Sequence, residues 1–201
     1  MKLLLLAILI WAVPEPAAAH HVIGGMTPVT FTQGLLSGLG HPIIGLDHFA
    51  AIVAVGCLTA WQRQGPLLIV AYVIAMIAGV AFHVRGLSVA GTEIMVALSV
   101  LVLGVALLRP VLSAPPLFVL FVVAGLINGY ALGESIGGAE PAPLYAYFIG
   151  LAVIQIAVAL AALAIVRALE RRQLAVRVHL FGAVIVGIGL AAFAKDLWLG
   201  A

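Results

Sequence analysis

Charge is what this sequence has least of. Of its 201 residues only 8% are Asp, Glu, Lys or Arg, while 65% are hydrophobic; soluble domains carry roughly 25% charged and roughly 45–50% apolar residues. So little polar surface cannot cover a water-facing globule, which excludes an ordinary soluble domain and leaves a lipid bilayer as the solvent. Basic residues exceed acidic ones only by nine to seven, and they fall mainly between apolar runs, so no cationic face for nucleic acid exists. Cysteine is almost missing. Cys57 stands alone, which excludes an intrachain disulfide, and its setting AVGCLTAW assigns it to packing. The chain also has no nucleotide-binding loop, so any ATP drive requires a partner, and no HExxH spacing of the metallohydrolase kind.

Long apolar runs are what it has in abundance. The first belongs to a different object: Lys2, an apolar core over residues 3–13, Pro14 and Pro16, then Ala17-Ala18-Ala19. That is the form of a secretory signal peptide, with a core too short to span. Cleavage after Ala19 is expected, leaving His20 as the N-terminus on the far side of the membrane. Residues 20–201 then form a single membrane domain. Measured against the ~20 residues a helix needs to cross, apolar runs at 30–61, 66–84, 91–108, 116–134, 143–168 and 178–198 predict an all-α polytopic bundle of about six crossings. The first run is too long for one straight helix, and Gly40, Pro42 and Gly45 interrupt it, so it is expected to be broken. Short cytoplasmic loops carry the Lys/Arg excess. A far-side N-terminus puts Arg63, Arg109, Arg167, Arg171, Arg172 and Arg177 in the cytoplasm and only Arg85 and Lys195 outside. Leader and loops therefore agree on orientation, in a bacterial inner membrane.

The polar residues then collect on one side. His20, His21, His41, Asp47, His48, His83, Glu93, Glu134 and Glu140 fall in the outer half or just beyond it, against His179 and Glu170 toward the cytoplasm. An ionisable group at bilayer depth costs ~2.5–3.5 kcal/mol on insertion scales and marks a functional site by default. The stretch HPIIGLDH, residues 41–48, concentrates them. On an ideal helix His41 and His48 share a face but stand ~10 Å apart along the axis, too far for one ion. Pro42 removes a backbone donor and Gly45 bends easily, and broken helices at membrane depth occur where backbone lines a substrate site. A break brings His41, Asp47 and His48 round one point; the alternative is a kinked packing helix whose histidines bond neighbouring carbonyls. Imidazole with carboxylate suits nickel, cobalt or zinc. The N-terminal His20-His21 adds an amine, amides and two imidazoles. Glu93 either pairs with Arg85 or joins an acidic entry, and the glycine-rich NGYALGESIGGAEP, residues 128–141, permits close backbone approach around Glu134. Tyr145, Tyr147 and Trp198 read as interfacial aromatics.

The chain resembles the HupE/UreJ family, small membrane proteins associated with hydrogenase and urease accessory functions. The resemblance covers nearly all of residues 20–201, and its most specific element is HPxxGxDH, matched by His41, Pro42, Gly45, Asp47 and His48. It implies secondary uptake of nickel or cobalt, with those histidines and the aspartate handling the metal. His20-His21 is similar, more distantly, to the membrane subunits of nickel and cobalt energy-coupling transporters, whose free N-terminus ligates the ion. One segment departs: relatives carry a histidine-rich stretch at the fourth crossing where this chain has NGYALGE, with Asn128, Tyr130 and Leu132 in the histidine places.

The expected function is therefore a permease, not an enzyme, for a divalent transition metal. Its metal residues are His41, Asp47, His48, His20, His21, His83, Glu93 and Glu134. No cofactor is held permanently; Ni2+ or Co2+, with Zn2+ a further candidate, is the cargo, and metalloenzyme maturation proteins are candidate partners. Two alternatives stand beside it: a metal-holding accessory protein, and a zinc-dependent intramembrane hydrolase using His41, His48, His83 and Glu93.

Overall fold

The computed structural model describes residues 26–108, 112–172 and 176–199. The leader over residues 1–19 and the pair His20 and His21 lie outside the described residues. Seven helices follow in order among those described: α1 Phe31–Ile44, α2 Leu46–Leu58, α3 Gly65–Val84, α4 Thr92–Leu107, α5 Ala114–Leu132, α6 Pro141–Arg171 and α7 Val176–Leu199. Short 3-10 turns, Thr59–Trp61 and Gly133–Ile136, close α2 and α5.

The helix starts follow from local chemistry. Thr30 opens α1 with a reciprocal cap, its hydroxyl accepting from the Gln33 amide while the Gln33 side chain accepts from the Thr30 amide. Prolines sit in the first turn of α3, α5 and α6, where their missing N–H costs nothing. Helices α3, α5 with its closing turn, α6 and α7 are long and apolar enough to cross a membrane. The α1–α2 pair, bent by 80°, makes a fifth crossing if it is one broken span. Helix α4 is the short one of the six expected: its 16 residues reach ~24 Å, less than the ~30 Å hydrocarbon core. Gly91, in the left-handed region at φ 72°, holds the chain in a loop until Thr92. The protein is an all-α, multi-pass membrane protein with a broken first helix.

Small residues set how the helices pair. A Cβ added at Gly34 would lie 2.2 Å from the Pro143 carbonyl oxygen, one at Gly38 2.3 Å from that of Tyr147, and one at Gly56 2.3 Å from that of Ala159. Helix α1 therefore runs parallel to the start of α6 at backbone contact, and α2, bent from it by 80°, meets α6 again at Gly56. Gly125, Gly129 and Gly133 do the same against Tyr72, Met76 and His83, laying α5 parallel to α3. Gly182 and Gly189 pack against Leu107 and Leu101, so α7 runs antiparallel to α4. These pairings gather the start of α1, the ends of α3, α5 and α7, and the start of α4 at one end, the histidine end. Arg63, Arg167, Arg171 and Arg172 fall at the opposite, arginine end, where Arg167 donates to the Ala60 carbonyl at 3.0 Å and the Gln62 carbonyl at 3.2 Å.

Tyr147 corrects the sequence reading. It is fully buried, its hydroxyl donating to the Leu132 carbonyl at 2.7 Å and lying 3.0 Å from Ser135 Oγ. It faces Gly38 on the inner stripe of α6, and its hydroxyl is satisfied by the end of α5. Tyr145 and Trp198 do stand exposed, and Cys57 is buried in the core.

Gly129→Ala is expected to lower the thermal unfolding midpoint in detergent, because its methyl would lie 1.9 Å from the Met76 carbonyl oxygen; overpacking costs about 1–3 kcal/mol or more. Gly187→Ala in α7, with nothing within 4 Å of the added carbon, is expected to hold or raise the midpoint through helix propensity. Equal midpoints for the two variants would contradict the close α3–α5 contact.

Candidate functional site

The break in the first span is made locally. Pro42 sits inside α1 and has no N–H for the Gly38 carbonyl. Gly45 then leaves helical geometry at φ −73°, ψ 105°, ending α1 and starting α2 in one residue. Its N–H still donates to the His41 carbonyl at 3.1 Å, and its carbonyl accepts from Phe49 at 2.8 Å. A side chain here would crowd the site: an added Cβ lies 3.0 Å from His48 Cδ2 and 3.2 Å from Asp47 Oδ1. The 80° bend replaces the ~10 Å separation of a straight helix with ring centroids 6.1 Å apart, His41 and His48 meeting edge to face. Both histidines are buried. Asp47 lies in the first turn of α2, and its Oδ1 accepts from the His48 backbone N–H at 2.8 Å. The helix start thus offers the carboxylate a donor and the favourable end of its dipole.

Helices α4 and α5 fix the His48 ring. Asn128, 1% exposed, places Nδ2 2.8 Å from the Ala124 carbonyl oxygen and 2.9 Å from Ser99 Oγ, while its Oδ1 lies 3.0 Å from His48 Nδ1. The Ala124 carbonyl only accepts, so the atom facing it is the amide nitrogen and the other is the oxygen. Ser99 donates its own proton to the Val96 carbonyl at 2.8 Å, leaving its oxygen to accept from Asn128. The Asn128 oxygen can only accept, so His48 carries its hydrogen on Nδ1. The lone pair of the neutral ring is therefore on Nε2, the state in which a histidine binds a metal through one nitrogen and is oriented through the other.

The acidic groups of a rim near this pair act electrostatically on one another, with Lys195 countering Asp196. The charges acting on Glu93, in the first turn of α4, are those of Asp47, His48, Asp196 and Glu134, and Arg85 is not among them. Of the two roles open to Glu93, the pairing with Arg85 is absent among the described residues, and the charges that act on it are those of three acids and His48. Asp196 is also within reach of Asp47. His83 takes another position: its ring lies edge-on to Tyr130 at 4.8 Å, its Cβ packs over Gly133, and its Nδ1 is buried with no hydrogen-bond partner among the described residues. Tyr130 in turn accepts from the Val89 N–H at 2.8 Å and donates to the Leu87 carbonyl, tying the α3–α4 loop to the end of α5.

Among the described residues no three His, Cys, Asp or Glu side chains converge tightly enough to hold a metal by themselves. What the geometry offers is a buried histidine pair with a carboxylate at its side and a rim of acids above. Asn128, Ser99 and Asp196 were missing from the sequence-derived set. Asn128 and Ser99 carried a signal, being polar groups inside apolar runs; Asp196, beside Lys195 near the chain end, carried none.

The family model described as HupE / UreJ protein matches residues 6–192. Protein HupE of Rhizobium leguminosarum bv. viciae is 32% identical over 125 residues, which is 61% of this chain and 63% of that protein. The alignment thus spans less than two thirds of that relative's length. No solved structure matches the chain. With the family model covering residue 6 to residue 192, the chain belongs to the HupE/UreJ family.

Proposed function

We propose that this protein is a secondary permease that takes up a divalent transition-metal ion, nickel or cobalt, across the cytoplasmic membrane. The observation that carries the reading is the break at Gly45, which sets two buried imidazoles 6.1 Å apart with Asp47 alongside, inside a span that is otherwise apolar. Imidazole and carboxylate are the donors these borderline metals prefer. The rim of Asp47, Glu93, Glu134 and Asp196 raises the local cation concentration at the entry. The arginine end faces the cytoplasm by the loop-charge rule, so the rim faces outward and the ion travels from rim to histidines to the cell interior. His20 and His21 supply an initial capture point at the N-terminus, and metalloenzyme maturation proteins receive the metal inside.

Conduction needs sites weak enough to leave, whereas a zinc held for structure takes four protein ligands and a catalytic zinc three. A metal-holding accessory protein and a zinc-dependent intramembrane hydrolase are the readings that the test sets against the permease. The test is uptake of radiolabelled cobalt and nickel by metal-starved cells expressing the chain. Flux several-fold above that of empty cells, saturable and competed by the other ion, is the expected result. Flux equal to that of empty cells, with folded protein in the membrane, would overturn the permease.

A further inference from the structure

Gln155 is an amide in the wrong company for a packing residue. It lies on the inner stripe of α6, 1% exposed. Its nitrogen donates to the thioether of Met76 on α3, a fully buried residue and a weak acceptor. Its Oε1 is buried with no hydrogen-bond partner among the described residues. Methionine sulfur cannot donate, so the orientation of the amide is fixed: the NH2 faces Met76 and the oxygen is the group left over. Backbone amides in a spanning helix are spent on their own carbonyls, so they offer this oxygen nothing. A leucine here would fill the space without an unmet acceptor.

Its place in the bundle is as telling as its chemistry. Along α6, Tyr147 faces Gly38 and Ala159 faces Gly56, so Gln155, two turns after Tyr147 and one turn before Ala159, lies on the stretch of α6 that the broken pair α1–α2 crosses. Met76 packs against Gly129, the residue directly after the Asn128 that holds His48. The Gln155–Met76 pair is therefore a polar pair between α6 and α3, beside the Asn128 that holds His48.

We propose that Gln155 forms a second cation station, where the ion leaving His41 and His48 takes its amide oxygen as a ligand while Met76 holds the NH2 side of the amide. This rests on the uptake reading above and extends it to the contact between α3 and α6. The ligand is a partly hydrated divalent first-row cation: the amide oxygen binds it and retained water completes the shell. A single neutral protein ligand holds such an ion briefly, as an exit step requires.

The test compares initial cobalt uptake by cells expressing the parent chain, Gln155→Leu, Gln155→Met and Met76→Leu at matched membrane abundance, with Co2+ binding to the purified proteins by equilibrium dialysis. Expected is a fall in uptake of about tenfold in both Gln155 variants and a smaller one in Met76→Leu. Binding should stay within about twofold of the parent, because His41, Asp47 and His48 remain. The unfolding midpoint of the Gln155 variants is expected to match or exceed that of the parent, the buried unmet oxygen being gone. Parental uptake through either well-accumulated Gln155 variant would overturn the station, leaving Gln155 a structural amide beside a buried water. Absence of flux in the parent chain itself would overturn the uptake reading, and the station with it.

Discussion

Asp47→Asn is expected to reduce cobalt uptake to the level of empty cells while the protein still folds and accumulates. The substitution keeps an oxygen where Oδ1 accepts from the His48 N–H at 2.8 Å, so the start of α2 keeps its cap and the cost in stability stays near or below about 1 kcal/mol. What disappears is the negative charge beside the histidine pair, and a divalent ion moving out of water at that depth depends on it. His48→Ala is expected to abolish uptake too, but with a second effect. It strands the Asn128 oxygen in a buried site, which costs about 1–3 kcal/mol, so its unfolding midpoint should fall. The two variants thus separate loss of transport from loss of fold. Uptake and detergent unfolding, measured together, check both; full uptake by Asp47→Asn would remove the carboxylate from the mechanism.

Much of the fold is legible in the order of residues, since bilayer thickness makes each crossing a long apolar run. The break was legible too, because Pro42 and Gly45 act on their own backbone. The 80° size of the bend was not: α1 and α2 each meet α6 at backbone contact, through Gly34, Gly38 and Gly56, and α6 lies far along the chain. Helix α4 reads as a full crossing by composition, yet the left-handed Gly91 shortens its helical part. The site was half legible. Asp47 and His48 announce themselves as charge and imidazole in hydrocarbon, whereas Asp196 sits beside Lys195 and looks like an ordinary interfacial pair. Only the antiparallel packing of α7 on α4, through Gly182 and Gly189, brings it within reach of Glu93 and Asp47. Tyr147 was misplaced for the same reason: which face of α6 turns inward depends on the glycines of α1, more than a hundred residues earlier in the chain.

Asn128 is where local reading and structure diverge most, and its replacement carries the other large expected effect. Read along the chain, it stands where the family resemblance implies a histidine, and so looks like a lost ligand. In the bundle its oxygen receives the His48 Nδ1 hydrogen at 3.0 Å while its nitrogen is anchored on Ala124 and Ser99. Asn128→Leu removes acceptor and anchors together, so His48 is free to rotate and to place its hydrogen on either nitrogen. Uptake is expected to fall by about 10–100-fold, the usual loss when a metal-binding histidine loses its orienting partner. Asn128→Asp still accepts from His48 but turns an oxygen toward the Ala124 carbonyl, so both uptake and the unfolding midpoint should drop. Asn128→His can accept from His48 with one nitrogen and donate to Ser99 or Ala124 with the other. It should keep uptake within a few-fold of the parent and shift the ratio of nickel to cobalt carried, since a second imidazole now borders the path. Nitrogen NMR of labelled His48 reads the tautomer directly: Nδ1–H in the parent, a mixture in Asn128→Leu. If Asn128→Leu kept both the Nδ1–H form and parental uptake, the ring would be oriented by something other than Asn128. If it lost the tautomer and kept the uptake, the lone pair on Nε2 would not be what the ion meets.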